Sequence, residues 1–82
     1  MNYSVKFKPK AIKDLKSVPL DDRQRIVAKI ETMQDSLVGD VKKLTNFTPE
    51  YRLRVGDYRV LFEIERDCIV VYQVKHRRDV YK

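Results

Sequence analysis

The sequence holds one cysteine, Cys68, and one histidine, His76, among its 82 residues. A lone cysteine cannot close an internal disulfide, and one cysteine with one histidine does not furnish a Cys/His zinc set. No metal and no cofactor are therefore expected. Missing too is any apolar run near the roughly 18 residues that a membrane helix requires, and Met1 is followed by Asn2-Tyr3-Ser4-Val5-Lys6 rather than by a hydrophobic leader. A soluble, cytoplasmic protein without membrane contact is expected. There is no internal repeat, no linker and no low-complexity tract, so residues 1–82 read as one small domain. Acidic residues are in deficit, with 12 Asp and Glu against 18 Lys and Arg, a net charge of +6. That surplus points to polyanionic partners such as nucleic acid, and it is shared evenly, +3 for residues 1–50 and +3 for residues 51–82.

What is present is enough to fold. Apolar residues make up 43% of the chain, ample for a globular core despite a charged fraction of 37%. Tyr3 to Phe7 alternate with period two and predict a strand with one buried face. Lys8-Pro9 marks the change to a helix whose Ala11, Ile12 and Leu15 share a face, and Ser17-Val18-Pro19-Leu20 interrupts it. A second helix is predicted to open near Asp21-Asp22 and to end before Gly39, with Ile26, Val27, Ile30, Met33 and Leu37 in one stripe and Arg23, Arg25, Lys29, Glu31 and Asp35 facing away. Residues 40–49 show no lasting period and read as a loop. Tyr51, Leu53 and Val55 alternate with arginines; Gly56-Asp57 predicts a tight turn; Tyr58, Val60, Phe62 and Ile64 continue the alternation, and Arg66-Asp67 predicts a second turn. The β-branched run Cys68 to Val74 belongs mid-sheet, covered on both faces. The expected fold is α+β, a helix hairpin packed on one face of a small antiparallel sheet in the order β-α-α-β-β-β.

Such a domain leaves the other sheet face open. Arg52 and Arg54 share that face by period two, Arg59 follows the turn, and pairing through Arg66-Asp67 brings His76 and Arg77 toward Arg59. Tyr81 is close enough along the chain to join them. Each residue alone also fits a plainer role. Arg52 and Arg54 suit the solvated side of a strand, Arg59 can pair with Glu63 or Glu65, His76 can be an ordinary surface histidine, and Tyr81 can cap the core. Gathering like charges opposes folding, so their convergence is better explained by an anionic partner. RNA carries its own nucleophile, the 2′-hydroxyl, and arginine, histidine and tyrosine suffice to align it, move its proton and stabilise the added negative charge without a metal.

The segments YRLRVGDYRVLFEI (51–64) and VVYQVKHRRDVY (70–81), with YSVKFKPKAIKDLKSVP at the start, resemble the RelE/ParE toxin superfamily, and its RelE branch in particular, over the whole chain. The resemblance implies the same helix hairpin on a sheet. It also implies a type II toxin that enters the ribosomal A site and cleaves mRNA, held inactive by a RelB-like, acidic antitoxin in a heteromeric complex. It places the family's basic pair at Arg52 and Arg54, its phosphate-binding arginine at Arg59, its C-terminal arginine at Arg77 and its terminal tyrosine at Tyr81. The best-known RelE has lysines where this chain has Arg52 and Arg54, and arginine practically never gives up its proton, so the base differs here. His76 is the one histidine, the residue type suited to proton transfer at neutral pH, and Glu50 is a second candidate base. Lys42, Lys43, Lys75 and Arg78 are expected to contact the RNA or ribosomal RNA backbone.

The resulting expectation is that Arg59 and Arg77 bind the scissile phosphate, Arg52 and Arg54 hold the backbone and the developing charge, His76 transfers protons and Tyr81 stacks on or orients a nucleotide. Two other readings stay open. One is a ParE-like inhibitor of DNA gyrase, and the other is a basic RNA-binding module without catalysis.

Overall fold

Pro9, whose fixed φ suits the first turn of a helix, opens α1 (Pro9–Lys16), as seen in a computed structural model that describes residues 2–35, 37, 41–44, 46 and 48–80, with the backbone alone at residue 80. The Ser17 N–H closes its last turn on Asp14 O at 3.0 Å. Pro19 caps α2 (Leu20–Thr32), and Asp21 and Asp22 lie in its positive first turn. Arg23, expected to face away, is half-buried, because its guanidinium Nη2 donates to Lys16 O at 3.2 Å and Val18 O at 3.0 Å. It thereby fastens the two helices at their junction and satisfies carbonyls that the end of α1 leaves unpaired.

The strands are β1 (Ser4–Phe7), β2 (Val41–Lys43), β3 (Tyr51–Val55), β4 (Tyr58–Glu65) and β5 (Cys68–His76), followed by a short helix α3 (Arg77–Val80). They form one sheet in the order β1-β5-β4-β3-β2. The α+β class and the helix hairpin on one sheet face are as the sequence predicts. Ala11, Ile26, Ile30 and Met33 from the helical side share one buried cluster with Leu53, Val55, Val60, Phe62, Ile69, Val71 and Val74. Two features correct the expected sheet. First, β1 lies parallel to β5, with Val5 opposite Ile69 and Phe7 opposite Val71, so the sheet is mixed. Period two reports which face a side chain takes, and it carries no information on neighbour or direction. Second, part of the segment read as a loop forms β2, antiparallel to β3 with Val41 opposite Leu53 and Lys42 opposite Arg52. Three residues are too few to show a period.

The hairpin between β3 and β4 turns at Gly56, whose φ of +57° only glycine adopts freely. A Cβ there would meet only the flexible end of Arg25, at 3.6 Å. Gly56→Val is therefore expected to reveal backbone strain alone, a loss of about 1–2 kcal/mol read as a lower urea midpoint.

Between β4 and β5 the ladder is regular from Glu65 opposite Cys68 to Phe62 opposite Val71, then shifts, so that Leu61 faces Gln73 and Arg59 faces Lys75. Tyr72 is the extra residue of this bulge. From α1, Asp14 meets β5 just past it: its Oδ2 accepts the Val74 N–H at 3.0 Å, while its Oδ1 takes Lys10 Nζ at 2.7 Å.

Candidate nucleic-acid interface

Residues directly opposite in a ladder share a face, so the registers place every strand side chain. The helix side carries Leu53, Val60 and Val74 in one row and Tyr51, Phe62 and Val71 in another. On the open side, Arg54, Arg59 and Lys75 form one row across β3, β4 and β5. The next row is Lys42, Arg52, Leu61 and Gln73. Further along β4 the same face becomes acidic at Glu63 and Glu65. Five cations thus crowd one end of the face.

Arg59 is the centre of this group. It is only 7% exposed, the one buried charged residue among those described, and no ion pair or hydrogen bond links its guanidinium to another described residue. Its possible partner Glu63 lies four residues along the strand, where its carboxylate accepts the Glu50 N–H. A cation withdrawn from water beside two others is electrostatically costly unless an anion arrives to share it.

The remaining expected residues divide. His76 does not join Arg59: the bulge turns it to the helix-side row of Val55 and Tyr58, on the opposite face from Arg59, and its ring meets that of Tyr58 edge-on with centroids 5.2 Å apart. Its Nδ1 accepts the Arg78 N–H at 3.2 Å, which holds the imidazole at the rim of the sheet. Arg77 is also at this rim. Its N–H donates to Asp57 O at 2.7 Å and its Nη1 stands 3.7 Å from Asp57 Oδ1, so α3 is fastened to the β3–β4 turn. Arg78 is exposed beside it. Lys43 lies on β2 with Nζ 3.9 Å from Glu50 Oε2, away from the central row. Tyr81 lies outside the described residues. The residue that reasoning from sequence set aside as a backbone contact, Lys75, is the one that faces Arg59 directly. Only the bulge puts it there, and nothing in the β-branched run announces a bulge. Among the described residues no group of three or more His, Cys, Asp or Glu side chains is placed to hold a metal ion.

Residues 5–81 match the family described as ParE toxin of type II toxin-antitoxin system, parDE. The chain belongs to the RelE/ParE toxin family. Among relatives of this RelE-like toxin is Toxin RelE3 of Methanocaldococcus jannaschii, 40% identical over 82 residues, an alignment covering 94% of this chain and 93% of that one. The fold is shared with the crystal structure of the RelB-RelE antitoxin-toxin complex from Methanococcus jannaschii, at TM-score 0.79 and 38% identity, covering 93% of this chain and 94% of the other. It is shared as well with the archaeal RelE-RelB complex from Pyrococcus horikoshii, at TM-score 0.79 and 29% identity, covering 94% and 97% of the two chains. No helix among the described residues of the toxin is long and apolar enough to cross a membrane.

Proposed function

We propose that this RelE-like toxin is an endoribonuclease that cleaves mRNA in the ribosomal A site and so arrests translation. The observation that carries this reading is Arg59, buried in a row of cations on an open sheet face with no carboxylate partner among the described residues. Its guanidinium fork fits two oxygens of one phosphate, and the low local dielectric strengthens that contact as charge builds on phosphorus. In the reaction, the 2′-oxygen attacks the adjacent phosphorus and gives up its proton, while the bond to the next nucleotide's 5′-oxygen breaks and that oxygen is protonated. A 2′,3′-cyclic phosphate and a 5′-hydroxyl result. Arg54 and Arg52 hold the flanking charge, with Lys42 and Lys75 extending the track. His76 serves as the proton-transfer group from the rim and Glu50 as its alternative, while Arg77 and Arg78 contact the RNA where α3 begins. Lys43 adds charge at the sheet edge, and Tyr81 is assigned to base stacking. Because His76 belongs to the opposite face at the end of β5, the ribosome must complete the alignment, and isolated RNA is expected to be cut poorly.

The partner that restrains the toxin is an antitoxin, as in the complexes of its relatives. An acidic amphipathic segment suits the helical side, where Ile12, with Lys10 and Lys13 beside it in the chain, is 46% exposed and Leu20 60% exposed, and where a groove of about 300 Å³ between β1 and α2 is lined by Val5, Phe7, Val27 and Ile30.

Primer extension on translating ribosomes tests the reading. Added toxin is expected to give new 5′ ends within A-site codons, whereas intact message would reject it. The ParE-type family match favours one second reading, inhibition of DNA gyrase. A supercoiling assay separates the two, with full gyrase activity expected in the presence of the toxin.

A further inference from the structure

We infer that Asp14, on the far side of the sheet from the cationic face, is a positioning residue that sets which β5 side chain meets Arg59. This rests on the assignment of RNA chemistry to the Arg59 row. Before the bulge, Phe62 pairs with Val71; carried on without a bulge, that register would set Arg59 opposite Val74 and Tyr58 opposite Lys75. A one-residue slip exchanges the faces of everything beyond it, so Val74 would lie beside Arg59 on the open side and Lys75 would turn toward the helices. The extra residue, Tyr72, prevents this. With the bulge in place Val74 lies opposite Val60, and because β1 ends opposite Val71 the Val74 N–H meets no strand on that edge and finds its acceptor in the Asp14 carboxylate 3.0 Å away. Lys10, 2.7 Å from the other oxygen, holds that carboxylate in place. Asp14 is 60 residues from Val74 in sequence and has no ion pair with any cation of the Arg59 face, and it acts only through the register it stabilises.

The test uses the full chain with Asp14→Asn, Asp14→Ala and a deletion of Tyr72, each alone, and Asp14→Ala combined with the deletion. Removing Tyr72 restores a continuous ladder in which Lys75 still faces Arg59, so the chain no longer needs Asp14 to hold the bulge. Asp14→Ala in the parent chain is expected to lower kcat for cleavage on the ribosome at least about tenfold with KM nearly unchanged, and to speed exchange of the Val74 amide about a hundredfold. The nuclear Overhauser contact between the Tyr58 and His76 rings should vanish with it. Asp14→Asn, which keeps an acceptor oxygen, should restore ring contact and slow exchange. In the Tyr72-deleted chain, Asp14→Ala should leave both kcat and the ring contact unchanged. The inference is overturned if the ring contact survives Asp14→Ala in the parent chain, or if the substitution is as damaging in the deleted chain as in the parent. The second comparison still decides when the single variant fails to fold. The ring contact and amide exchange report the register even if the toxin cuts no RNA, so failure of the ribonuclease reading is seen separately.

Discussion

Arg59→Gln is expected to lower mRNA cleavage on the ribosome by about 10²–10³-fold, the usual effect of removing one donor aimed at developing negative charge. The same substitution should leave the fold intact or strengthen it. Arg59 stands directly between Arg54 and Lys75 in the ladder, and like charges placed opposite one another each cost about 0.2–1 kcal/mol. Glutamine keeps the first methylenes of the stem, so little packing is lost. A single-turnover cleavage assay together with urea denaturation would therefore show activity falling as the unfolding midpoint holds or rises. Arg59→Lys separates charge from shape: it restores the cation without the two-pronged fork, and recovery of less than about a tenth of the rate is expected because a planar guanidinium and a point ammonium do not hold a phosphate alike. Undiminished cleavage by the glutamine variant would remove Arg59 from the site. Parallel collapse of rate and stability would make it a structural residue instead.

The parts of this toxin that were readable in the sequence are those with local causes. Pro9 and Pro19 bracket α1, the Ile26, Ile30 and Met33 spacing marks the buried stripe of α2, and the alternation around Gly56-Asp57 sets the β3–β4 hairpin. Arg52, Arg54 and Arg59 could be assigned to one face because a regular hairpin converts period two directly into faces. The assignment failed at His76 because the conversion holds only up to the first irregularity, and Tyr72 intervenes. The carboxylate that meets the bulged segment, Asp14, lies on a helix surface where an aspartate four residues from a lysine reads as an ordinary ion pair. The same applies to Asp57, which looks like a turn residue and is also the anchor of α3. Long-range pairings of this kind leave no periodic trace, as the parallel placement of β1 beside β5 also shows.

Phe62→Ala is expected to be the most damaging core substitution, and its cost bears on how the toxin survives in the cell. Phe62 is wholly buried on the helix side of β4, stacked on Tyr51 with ring centroids 5.4 Å apart and planes 17° from parallel. It is also the last β4 residue in the regular ladder before the bulge. Truncating a buried phenylalanine costs about 3–5 kcal/mol, and the lost ring stacking falls within that sum. A domain of this length has roughly 4–12 kcal/mol in all, so the free variant should lose at least about a quarter of its stability and its melting temperature should fall by at least about 12 °C. An antitoxin that binds only the folded toxin should recover much of that loss by mass action, so the variant is expected to be soluble when co-expressed and to unfold once separated. Phe62→Leu fills most of the space and should cost less than half as much. Thermal denaturation of the free toxin and of the complex measures both; a drop of only a few degrees in the free Phe62→Ala protein would mean that β4 does not hold the core together at this point.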